Sequence, residues 1–513
     1  MNWKVLAVFV FAASFANAQK NYKKEDKRLY KEAEFFMGIE DYSSAIKLLD
    51  LIYPIDPDYA EVNYLLGLCH FNVPGNAKKA TFYLEIAKSL GYTEAYFWLG
   101  RAYHADLRFS DAKKSYMYYK AKPNKLLSEK EILYYIEITK RAEHAVENPV
   151  HVKIGNIGPA INTGADEYMP FVNDDETKMY FTSKRPNNTG GIANDGSFFD
   201  DVFLSENKQG MWTAALPISS LNSNYNDAIV GISADGSSVI INRSEKGRSS
   251  GVLYVATFEE GVWSKPVLLS NTINSSHKQT SATFVGDGSV IYFSSDRPGG
   301  LGGKDIWKTR RLPDGSWAEP INLGGPINTP FDEDAPFYHP NGEYLYFSSN
   351  GHTTIGGHDV FKAKARGDGS WQTPENLGYP INSVNDDVYF TISRNNKNAY
   401  LSSYRDGGEG GSDIYRVSLI FEDNYLTAVK LKLKDNNGQM YNGAISLFDS
   451  KTGDLFGEYK ANKNNEFIVI VKPEIEYDFE INTATGETIN TTLFISLNEL
   501  NTGEVFKIYE MGK

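Results

Sequence analysis

A repeating pattern in the middle of the chain limits the fold more than any other feature. The dipeptide Ile-Asn or Leu-Asn recurs in steps of 60, 52, 54 and 54 residues, at Asn162, Asn222, Asn274, Asn328 and Asn382. Tryptophans and strand-opening aspartates keep the same phase, at Trp212, Trp263, Trp317 and Trp371 and at Asp201, Asp305, Asp359 and Asp413. The unit from Trp317 to Trp371 predicts short strands separated by an acidic loop, a Pro-Asn-Gly turn and a glycine loop. Repeats of about 40–50 residues with four strands each are typical of a β-propeller.

The length and composition of the chain bound its class. A chain of 513 residues is too long for one hydrophobic core, so roughly two to four domains are expected. Hydrophobic residues at 41% and charged residues at 23% are typical of a globular protein. The net charge of -13 argues against a nucleic-acid-binding protein, because such proteins neutralise phosphates with Lys and Arg.

The N-terminus has the pattern of a secretory signal peptide over residues 1–18. Lys4 supplies a positive charge, Val5–Ala16 is apolar, and Ala16-Asn17-Ala18 forms a cleavage pattern. A membrane anchor is the alternative, but the run is shorter than the roughly 20 residues of a spanning helix. Cys69 is the only cysteine, which excludes an internal disulfide. We therefore expect an exported bacterial envelope protein of the periplasm, with no transmembrane segment.

Residues 20–147 have helical periodicity. The alanines of the second helix in each pair, Ala45, Ala80 and Ala112, are spaced by 35 and 32 residues. This spacing resembles the tetratricopeptide (TPR) repeat period of about 34 residues. The resemblance implies three helix pairs followed by a capping helix over Ser128–Glu147, and a groove that binds peptides or partner proteins. The alternative is a generic helical bundle.

Residues 150–420 hold the five repeats of the predicted propeller. The last repeat ends near Ile420 without an outer strand, and a segment without its own repeat, Val152–Ile157, precedes the first one. If this segment completes the last sheet, no edge of the ring stays unpaired. The sequence thus predicts a five-bladed β-propeller closed by an N-terminal strand. A sixth blade has no sequence here to form it.

The glycine loops resemble those of a known family. Ser294–Trp307 reads S-S-D-R-P-G-G-L-G-G-K-D-I-W, and repeats four and five match the same pattern, whereas repeats one and two have drifted from it. The motif resembles that of the PD40 (WD40-like, TolB-type) propeller family. The resemblance covers residues 150–420 and is specific for the fold.

Residues 425–513 predict a small β-sandwich. Leu426–Lys434 alternates apolar and charged residues, and Ala444–Phe448 and Phe467–Val471 have the composition of strands. The stretch Gly443–Asp449, which reads G-A-I-S-L-F-D, is similar to a motif of carboxypeptidase-regulatory-like domains. The resemblance implies a C-terminal transthyretin-like β-sandwich.

Acidic residues recur in the loops before the first strand of the repeats. If they face one mouth of the ring, they are candidates for binding a basic partner or a cation: Asp166, Glu167, Asp227, Asp332, Glu333, Asp386 and Asp387. The favoured alternative is structural, because Asp side chains cap turns by accepting from nearby backbone N–H groups. Repeat three has Lys278-Gln279 in place of an acidic pair, which argues against a symmetric metal ring.

The sequence shows no catalytic constellation. His352 and His358 lie in one glycine loop, but a zinc site needs about three to four ligands and nothing completes this pair. The G-x-S-x-G elbow of serine hydrolases is missing. The strand-opening aspartates and the recurring tryptophans are predicted to be structural. The sequence therefore predicts no metal site, no cofactor and no enzymatic activity.

The combination of modules resembles periplasmic subunits linked to type IX secretion and gliding motility. The resemblance implies a non-catalytic scaffold or adaptor that binds outer-membrane or periplasmic envelope proteins. Those subunits usually carry an OmpA-like domain, which we do not find here, so contact with peptidoglycan is expected only through another chain. The alternative is a glycan-binding or polysaccharide-processing propeller, motivated by the many Tyr, Trp and acidic residues near the loops. A chaperone for exported proteins is a third option.

Overall fold

The computed structural model describes residues 23–73, 75–192, 197–244, 251–405, 407–419, 427–434, 438–472, 475–482, 488–495 and 505–510. The predicted signal peptide, residues 1–18, lies outside these ranges. Within them, no helix is both long enough and apolar enough to cross a membrane. The chain divides into two compact units, one that ends at Ser418 and one that begins at Leu419.

Seven α-helices precede the sheets in the described residues. They are α1 (Lys24–Gly38), α2 (Tyr42–Ile52), α3 (Ala60–Phe71), α4 (Ala77–Ser89), α5 (Ala95–Ala105), α6 (Phe109–Lys120) and α7 (Glu129–Glu147). Consecutive helices share one core and approach closely at two glycines. A Cβ added to Gly67 would lie 2.5 Å from Cγ of Leu84, and one added to Gly100 would lie 2.3 Å from the ring of Tyr116. Small residues therefore set the distance between these helices.

The last helix, α7, begins at a capping box and joins the helices to the sheets. The Ser128 hydroxyl accepts from the N–H of Glu131 at 3.3 Å, and the Glu131 carboxylate accepts from the N–H of Ser128 at 2.7 Å. Further along the helix, the Tyr134 hydroxyl donates to the carbonyl of Asn350 at 2.9 Å. Nε of Arg141 donates to the carbonyl of Thr354, also at 2.9 Å. The helical region is thus bonded directly to loops of the sheets.

The first compact unit contains 22 strands among its described residues. They are β1 (Val152–Asn156), β2 (Glu167–Val172), β3 (Lys178–Ser183), β4 (Asp201–Lys208), β5 (Met211–Trp212), β6 (Leu216–Pro217), β7 (Asn226–Ile232), β8 (Ser238–Ser244), β9 (Val252–Glu259), β10 (Val262–Trp263), β11 (Val267–Leu268), β12 (Gln279–Val285), β13 (Val290–Ser295), β14 (Asp305–Arg310), β15 (Ile321–Asn322), β16 (Glu333–Tyr338), β17 (Tyr344–Ser349), β18 (Asp359–Lys364), β19 (Glu375–Asn376), β20 (Asp387–Ile392), β21 (Asn398–Ser403) and β22 (Asp413–Leu419).

These strands form antiparallel sheets arranged around an axis. In chain order the sheets are β2-β3-β4-β5 with β6 on β4, β7-β8-β9-β10 with β11 on β9, β12-β13-β14-β15, β16-β17-β18-β19, and β20-β21-β22-β1. The first strands β2, β7, β12, β16 and β20 neighbour one another in a closed cycle. This arrangement is that of a β-propeller. Strand β1 pairs with β22, so the predicted closure of the last sheet by an N-terminal strand is confirmed.

The second strands of the sheets are buried on both faces. In β3, β13, β17 and β21 every residue after the first is buried. Each sheet therefore packs against neighbours on both sides, and strict alternation of apolar and polar residues is lost. These strands end in Ser or Thr, and in two of them a hydroxyl bonds across to the next sheet. For example, the Ser294 hydroxyl donates to the carbonyl of Glu333 at 2.7 Å.

The second compact unit is a small sandwich of two sheets. Its described strands are β23 (Thr427–Lys434), β24 (Ala444–Asp449), β25 (Leu455–Lys460), β26 (Phe467–Val471), β27 (Glu476–Asn482), β28 (Thr488–Phe494) and β29 (Val505–Glu510). The sheet orders are β26-β23-β29 and β25-β24-β27-β28. Val429, Leu431 and Leu433 of β23 are buried, whereas the lysines between them are not. They share one core with Ile445 and Leu447 of β24, which joins the two sheets face to face.

Candidate functional site

One end of the ring, where the first strands begin, gathers polar side chains from several sheets. We call it the axial mouth. Here the aspartate before a first strand accepts from the backbone N–H of the residue just before the third strand of the preceding sheet. The bonds are Asp166 from Ser412 at 2.9 Å, Asp332 from Lys304 at 2.8 Å and Asp386 from His358 at 2.7 Å. These bonds fix neighbouring sheets to one another around the axis.

Two ion pairs lie at the axial mouth. Nζ of Lys304 contacts the carboxylate of Asp334, and Nδ1 of His358 lies 3.1 Å from Oδ1 of Asp386. Burial opposes ionisation of both carboxyls, but the charge and hydrogen bonding of their cationic partners outweigh it and lower the pKa of each to about 2. Burial lowers the pKa of His358, yet its hydrogen bond to Asp386 and the charge of that carboxylate raise it overall.

The two carboxylates differ in access. The side chain of Asp386 is 55% exposed. Asp334 is 8% exposed. Nε2 of His358 is buried and has no hydrogen-bond partner in the described structure. The axial mouth thus presents one accessible carboxylate, that of Asp386.

A third carboxylate, Asp200, lies among tyrosines. It accepts from the hydroxyl of Tyr168 at 2.6 Å. Burial raises the pKa of Asp200, against the lowering effects of Lys184 and of the Tyr168 hydrogen bond. The rings of Tyr168 and Tyr389 lie 5.8 Å apart between centroids. Burial raises the pKa of Tyr389, and so do the negative charges of three carboxylates from three sheets, Asp334, Asp200 and Asp386.

The helical region borders the axial mouth. Nε2 of His104 on α5 lies 3.0 Å from the carbonyl of Ile355, in the glycine loop that ends at His358. Burial lowers the pKa of His104 to about 4, so this imidazole stays neutral. The ring of Tyr134 on α7 stacks on that of Phe331 at 5.2 Å between centroids. Phe331 directly precedes a mouth aspartate, so the helices hold two of the loops that form the mouth.

Four of the seven acidic residues that were candidates for binding a partner lie inside the sheets. Glu167, Asp227, Glu333 and Asp387 have 0% exposure. Each accepts from the backbone N–H and the hydroxyl of the Ser or Thr four residues earlier; for Glu333 and Thr329 these distances are 2.8 and 2.6 Å. These four thus have the structural role that the sequence analysis favoured, and a fully buried carboxylate cannot contact another molecule. The other three, Asp166, Asp332 and Asp386, lie at the axial mouth.

The buried carboxylates differ in their cation. In three sheets an arginine bonds to the carboxylate: Arg185 to Glu167, Arg243 to Asp227 and Arg405 to Asp387. In the sheet that begins with β16, His352 takes this place. Its Nε2 lies 2.8 Å from the carbonyl of Ile327 and 4.0 Å from Glu333. Burial raises the pKa of Glu333 to about 7 and lowers that of His352. This carboxylate therefore lacks a permanent positive charge beside it.

The strand-opening aspartates and the tryptophans hold the sheets together. Each aspartate accepts from a backbone N–H of its own glycine loop: Asp201 from Thr189, Asp305 from Leu301, Asp359 from Ile355 and Asp413 from Glu409, at 2.6 to 2.7 Å. Burial raises the pKa of Asp359 to about 8. Trp212, Trp263, Trp317 and Trp371 pack in the apolar clusters of the sheets. Neither set faces the axial mouth with a reactive group.

The recurring asparagine has a role that sequence reasoning missed. In Asn328 the amide oxygen accepts from the N–H of Ile306 at 2.8 Å, and the amide nitrogen donates to the carbonyl of Ile306 at 2.9 Å. The same two bonds recur at Asn162, Asn222, Asn274 and Asn382. The side chain thus pairs with the third strand as a short piece of backbone would. The regular spacing of the asparagines was the signal for this role.

The two histidines of the fourth glycine loop do not share a site. His352 bonds to a carbonyl and His358 to Asp386. Across the described ranges, no group of three or more His, Cys, Asp or Glu side chains is placed to hold a metal ion.

The fold and the site define a class: a β-propeller with a polar axial mouth bordered by a helical region. No protein-family model and no curated protein matches the chain. One similar solved structure is a complex of BT0996 with RGII, at 10% identity and a TM-score of 0.39, covering 55% of this protein and 94% of that one.

Two arabinan-degrading enzymes are also similar in structure. The endo-arabinase of Bacteroides thetaiotaomicron has 13% identity and a TM-score of 0.33, with 53% of this protein and 99% of that one covered. The α-L-arabinanase of Penicillium chrysogenum complexed with arabinobiose has 9% identity, the same TM-score of 0.33, and coverage of 53% and 99%. At these TM-scores the similarity carries no argument about the reaction.

Two predictions are withdrawn on this comparison, although it assigns no reaction to the protein. The sequence predicted a non-catalytic scaffold of a secretion or gliding machinery and no enzymatic activity. The similar solved structures include glycan-processing enzymes, and they agree with the alternative of a glycan-binding or polysaccharide-processing propeller. Nothing in the comparisons supports a link to type IX secretion or gliding. We therefore abandon the scaffold, and the function proposed next rests on the axial mouth alone.

Proposed function

We propose that the protein binds a glycan at the axial mouth. One observation carries the proposal: two tyrosines, three carboxylates and two cations converge there from separate sheets. A sugar presents hydroxyl groups together with apolar faces, so hydrogen-bonding side chains next to aromatic rings suit it. The exposed carboxylate of Asp386 is an acceptor that a sugar hydroxyl can reach.

The carboxylates also suit acid–base cleavage of the glycan. Glycoside hydrolysis uses one protonated and one ionised carboxyl group. The two can be recognised because their environments shift their pKa values in opposite directions. Burial raises the pKa of Asp200, whereas that of Asp386 is lowered to about 2 despite burial. We assign Asp200 as the proton donor and Asp386 as the ionised partner. Asp334 is less suitable, because it is 8% exposed and bound to Lys304.

The test separates binding from cleavage. Binding is measured on a glycan array with wild-type protein and the variants Asp200→Asn, Asp386→Asn and Tyr389→Ala. Cleavage is then measured by incubating the same proteins with each polysaccharide that bound and counting the new reducing ends. Asp314→Asn, on an exposed turn between outer strands, is the matched control. We expect Tyr389→Ala to lose binding, and Asp200→Asn to keep binding but lose cleavage. No binding by the wild-type protein would refute the proposal, and cleavage by Asp200→Asn would refute its assigned role.

We further propose that the ring is a five-bladed propeller and that the helices are TPR-like pairs. The cyclic order of the first strands and the pairing of β1 with β22 support five blades. Full burial of Ala45, Ala80 and Ala112 supports the helical repeat. Kinship with PD40 propellers, the transthyretin-like character of the second unit, binding to envelope proteins and export to the periplasm stay predictions. Cleavage after Ala18, detected by N-terminal sequencing of the secreted protein, would test the last of these.

A further inference from the structure

Arg101 lies at the border of the axial mouth without a carboxylate partner. It is on α5, one turn before His104, whose imidazole contacts the glycine loop that ends at His358. Its guanidinium lies over the rings of Phe71 and Tyr135, at 5.3 and 5.1 Å from their centroids. It donates one hydrogen bond, from Nη1 to the Tyr135 hydroxyl at 3.4 Å. Within the described part of the chain it makes no ion pair.

The other cations that border the mouth are either neutralised or bonded to a loop. Lys304 pairs with Asp334, and His358 pairs with Asp386. Lys184 lies 3.9 Å from Asp166. Arg141 on α7 also makes no ion pair among the described residues, but its Nε donates to the Thr354 carbonyl and its Nη2 is buried. The Arg101 guanidinium instead contacts two aromatic rings and donates one hydrogen bond. Arg101 also helps to lower the pKa of Asp386 against burial, after the larger effects of His358.

We propose that Arg101 binds the carboxylate of a uronic acid residue in the glycan held at the axial mouth. The inference rests on the proposed function, since it names the substrate class of the same site. A guanidinium presents five N–H donors in a planar fork that matches a carboxylate, and the hydrogen bond to Tyr135 uses one of them. The two flanking rings hold the guanidinium in position. Binding a carboxylate therefore costs less side-chain entropy than it would for an arginine that moves freely.

A purely structural role is the competing explanation. A stacked arginine can bridge helices through cation–π contacts alone. Arg108, three residues after the end of α5, offers a matched comparison. Its guanidinium lies 4.2 Å from the ring centroid of Tyr103, but it also pairs with Asp111 at 2.7 Å. Arg108 is therefore stacked and neutralised, whereas Arg101 is stacked and unpaired.

The experiment compares an acidic glycan with its uncharged ester. Oligogalacturonate and its fully methyl-esterified form are titrated by calorimetry into wild-type protein, Arg101→Gln, Arg101→Lys and Arg108→Gln. A salt concentration of about 0.15 M screens the distant repulsion from the net charge of -13. We expect the wild-type protein to bind the acid roughly tenfold or more tightly than the ester, as a charge-assisted hydrogen bond supplies. Arg101→Gln should lose this preference, Arg101→Lys should keep part of it, and Arg108→Gln should keep all of it.

The outcomes separate the two proposals. Equal affinity for acid and ester, or equal weakening of both by Arg101→Gln, would overturn the uronate inference and leave glycan binding intact. Binding of some other glycan but neither of these would do the same. No binding of any glycan would refute the proposed function as well. Thermal unfolding of each variant shows whether Arg101→Gln acts through stability, and retained stability with lost preference supports the inference.

Discussion

Replacing Gly410 by alanine is expected to weaken the contact between the last sheet and the first. A Cβ at this position would lie 2.4 Å from the carbonyl oxygen of Thr163 and 2.5 Å from that of Ala165. Both oxygens belong to the backbone of the loop before β2, so no change of rotamer relieves the clash. Gly302 and Gly356 face backbone oxygens of the next loop in the same way, at 2.0 and 2.4 Å.

The size of the effect follows from what must move. An extra methyl group in a well-packed interior costs about 1–3 kcal/mol, and the cost is small only when a flexible side chain yields. Here two backbone carbonyls on one side must shift together by roughly an ångström to reach an ordinary contact distance of about 3.5 Å. We therefore expect Gly410→Ala to lower the free energy of unfolding by about 3 kcal/mol. The weakened contact lies where the ring closes.

Denaturant unfolding measures the cost, and Gly367→Ala is the matched control. Gly367 lies in a loop with no atom within 4 Å of an added Cβ and without a positive φ. Alanine there should be neutral or stabilising by about 0.4–1 kcal/mol, because it restricts the unfolded chain. Hydrogen exchange should show faster opening of β1 and β22 in Gly410→Ala alone. If both variants have the same free energy of unfolding, the argument from the close approach at Gly410 is refuted.

Three further predictions concern buried polar groups. Burial raises the pKa of Glu333 from 4.5 to about 7, so the folded protein holds this proton more tightly than the unfolded chain does. Its contribution to stability therefore falls as the pH rises from 4.5 to 7. Over this range the wild-type protein should lose about 3 kcal/mol of unfolding free energy relative to Glu333→Gln. Arg405→Ala should cost about 3–5 kcal/mol by stranding Asp387, and adding Asp387→Asn should recover most of it in a double-mutant cycle. Tyr134→Phe should cost about 1 kcal/mol by thermal unfolding, because it removes the bond to Asn350 and keeps the ring.

Each of these has a contradicting result. An unchanged pH dependence in Glu333→Gln would show that this carboxyl does not titrate in the window. Failure of Asp387→Asn to rescue Arg405→Ala would show that the stranded charge is not the cause. Loss of several kcal/mol in Tyr134→Phe would show that the ring contact with Phe331, and not the hydroxyl, had been disturbed.

The ring was predictable because its determinants recur at fixed spacing. Each Asn of the Ile-Asn dipeptide and each strand-opening Asp bonds to backbone at a constant place in its repeat, as Asn328 and Asp305 do. The Asn reappears in all five sheets and the Asp in four of them, since the third strand of the second sheet begins with Val252. The closing strand was predictable for a related reason, since the last repeat lacks the outer strand that Val152–Asn156 supplies.

The axial mouth was not predictable in the same way. Tyr168, Asp200 and Tyr389 stand at unlike positions of two repeats, so no spacing links them. Adjacent acidic residues were also interpreted as equivalent, although Asp386 lies at the opening and Asp387 is fully buried. Neighbouring residues at the start of a strand point to opposite sides, which divides each acidic pair into one accessible and one internal carboxylate. A site assembled from several sheets leaves no local motif in the sequence, so the lack of a motif did not exclude such a site.

The pairing of β1 with β22 has a consequence for the order of events during synthesis. The chain emerges from its N-terminus, so β1 exists long before Asp413–Leu419 is made, and until then its edge has no neighbour in the ring. Helix α7 ends at Glu147, just ahead of β1, and its partners at Asn350 and Thr354 also appear late. Contacts so distant in sequence form slowly. A nascent chain cut between β1 and β22 would therefore carry the helical region with unsatisfied strand edges behind it, a species prone to aggregate.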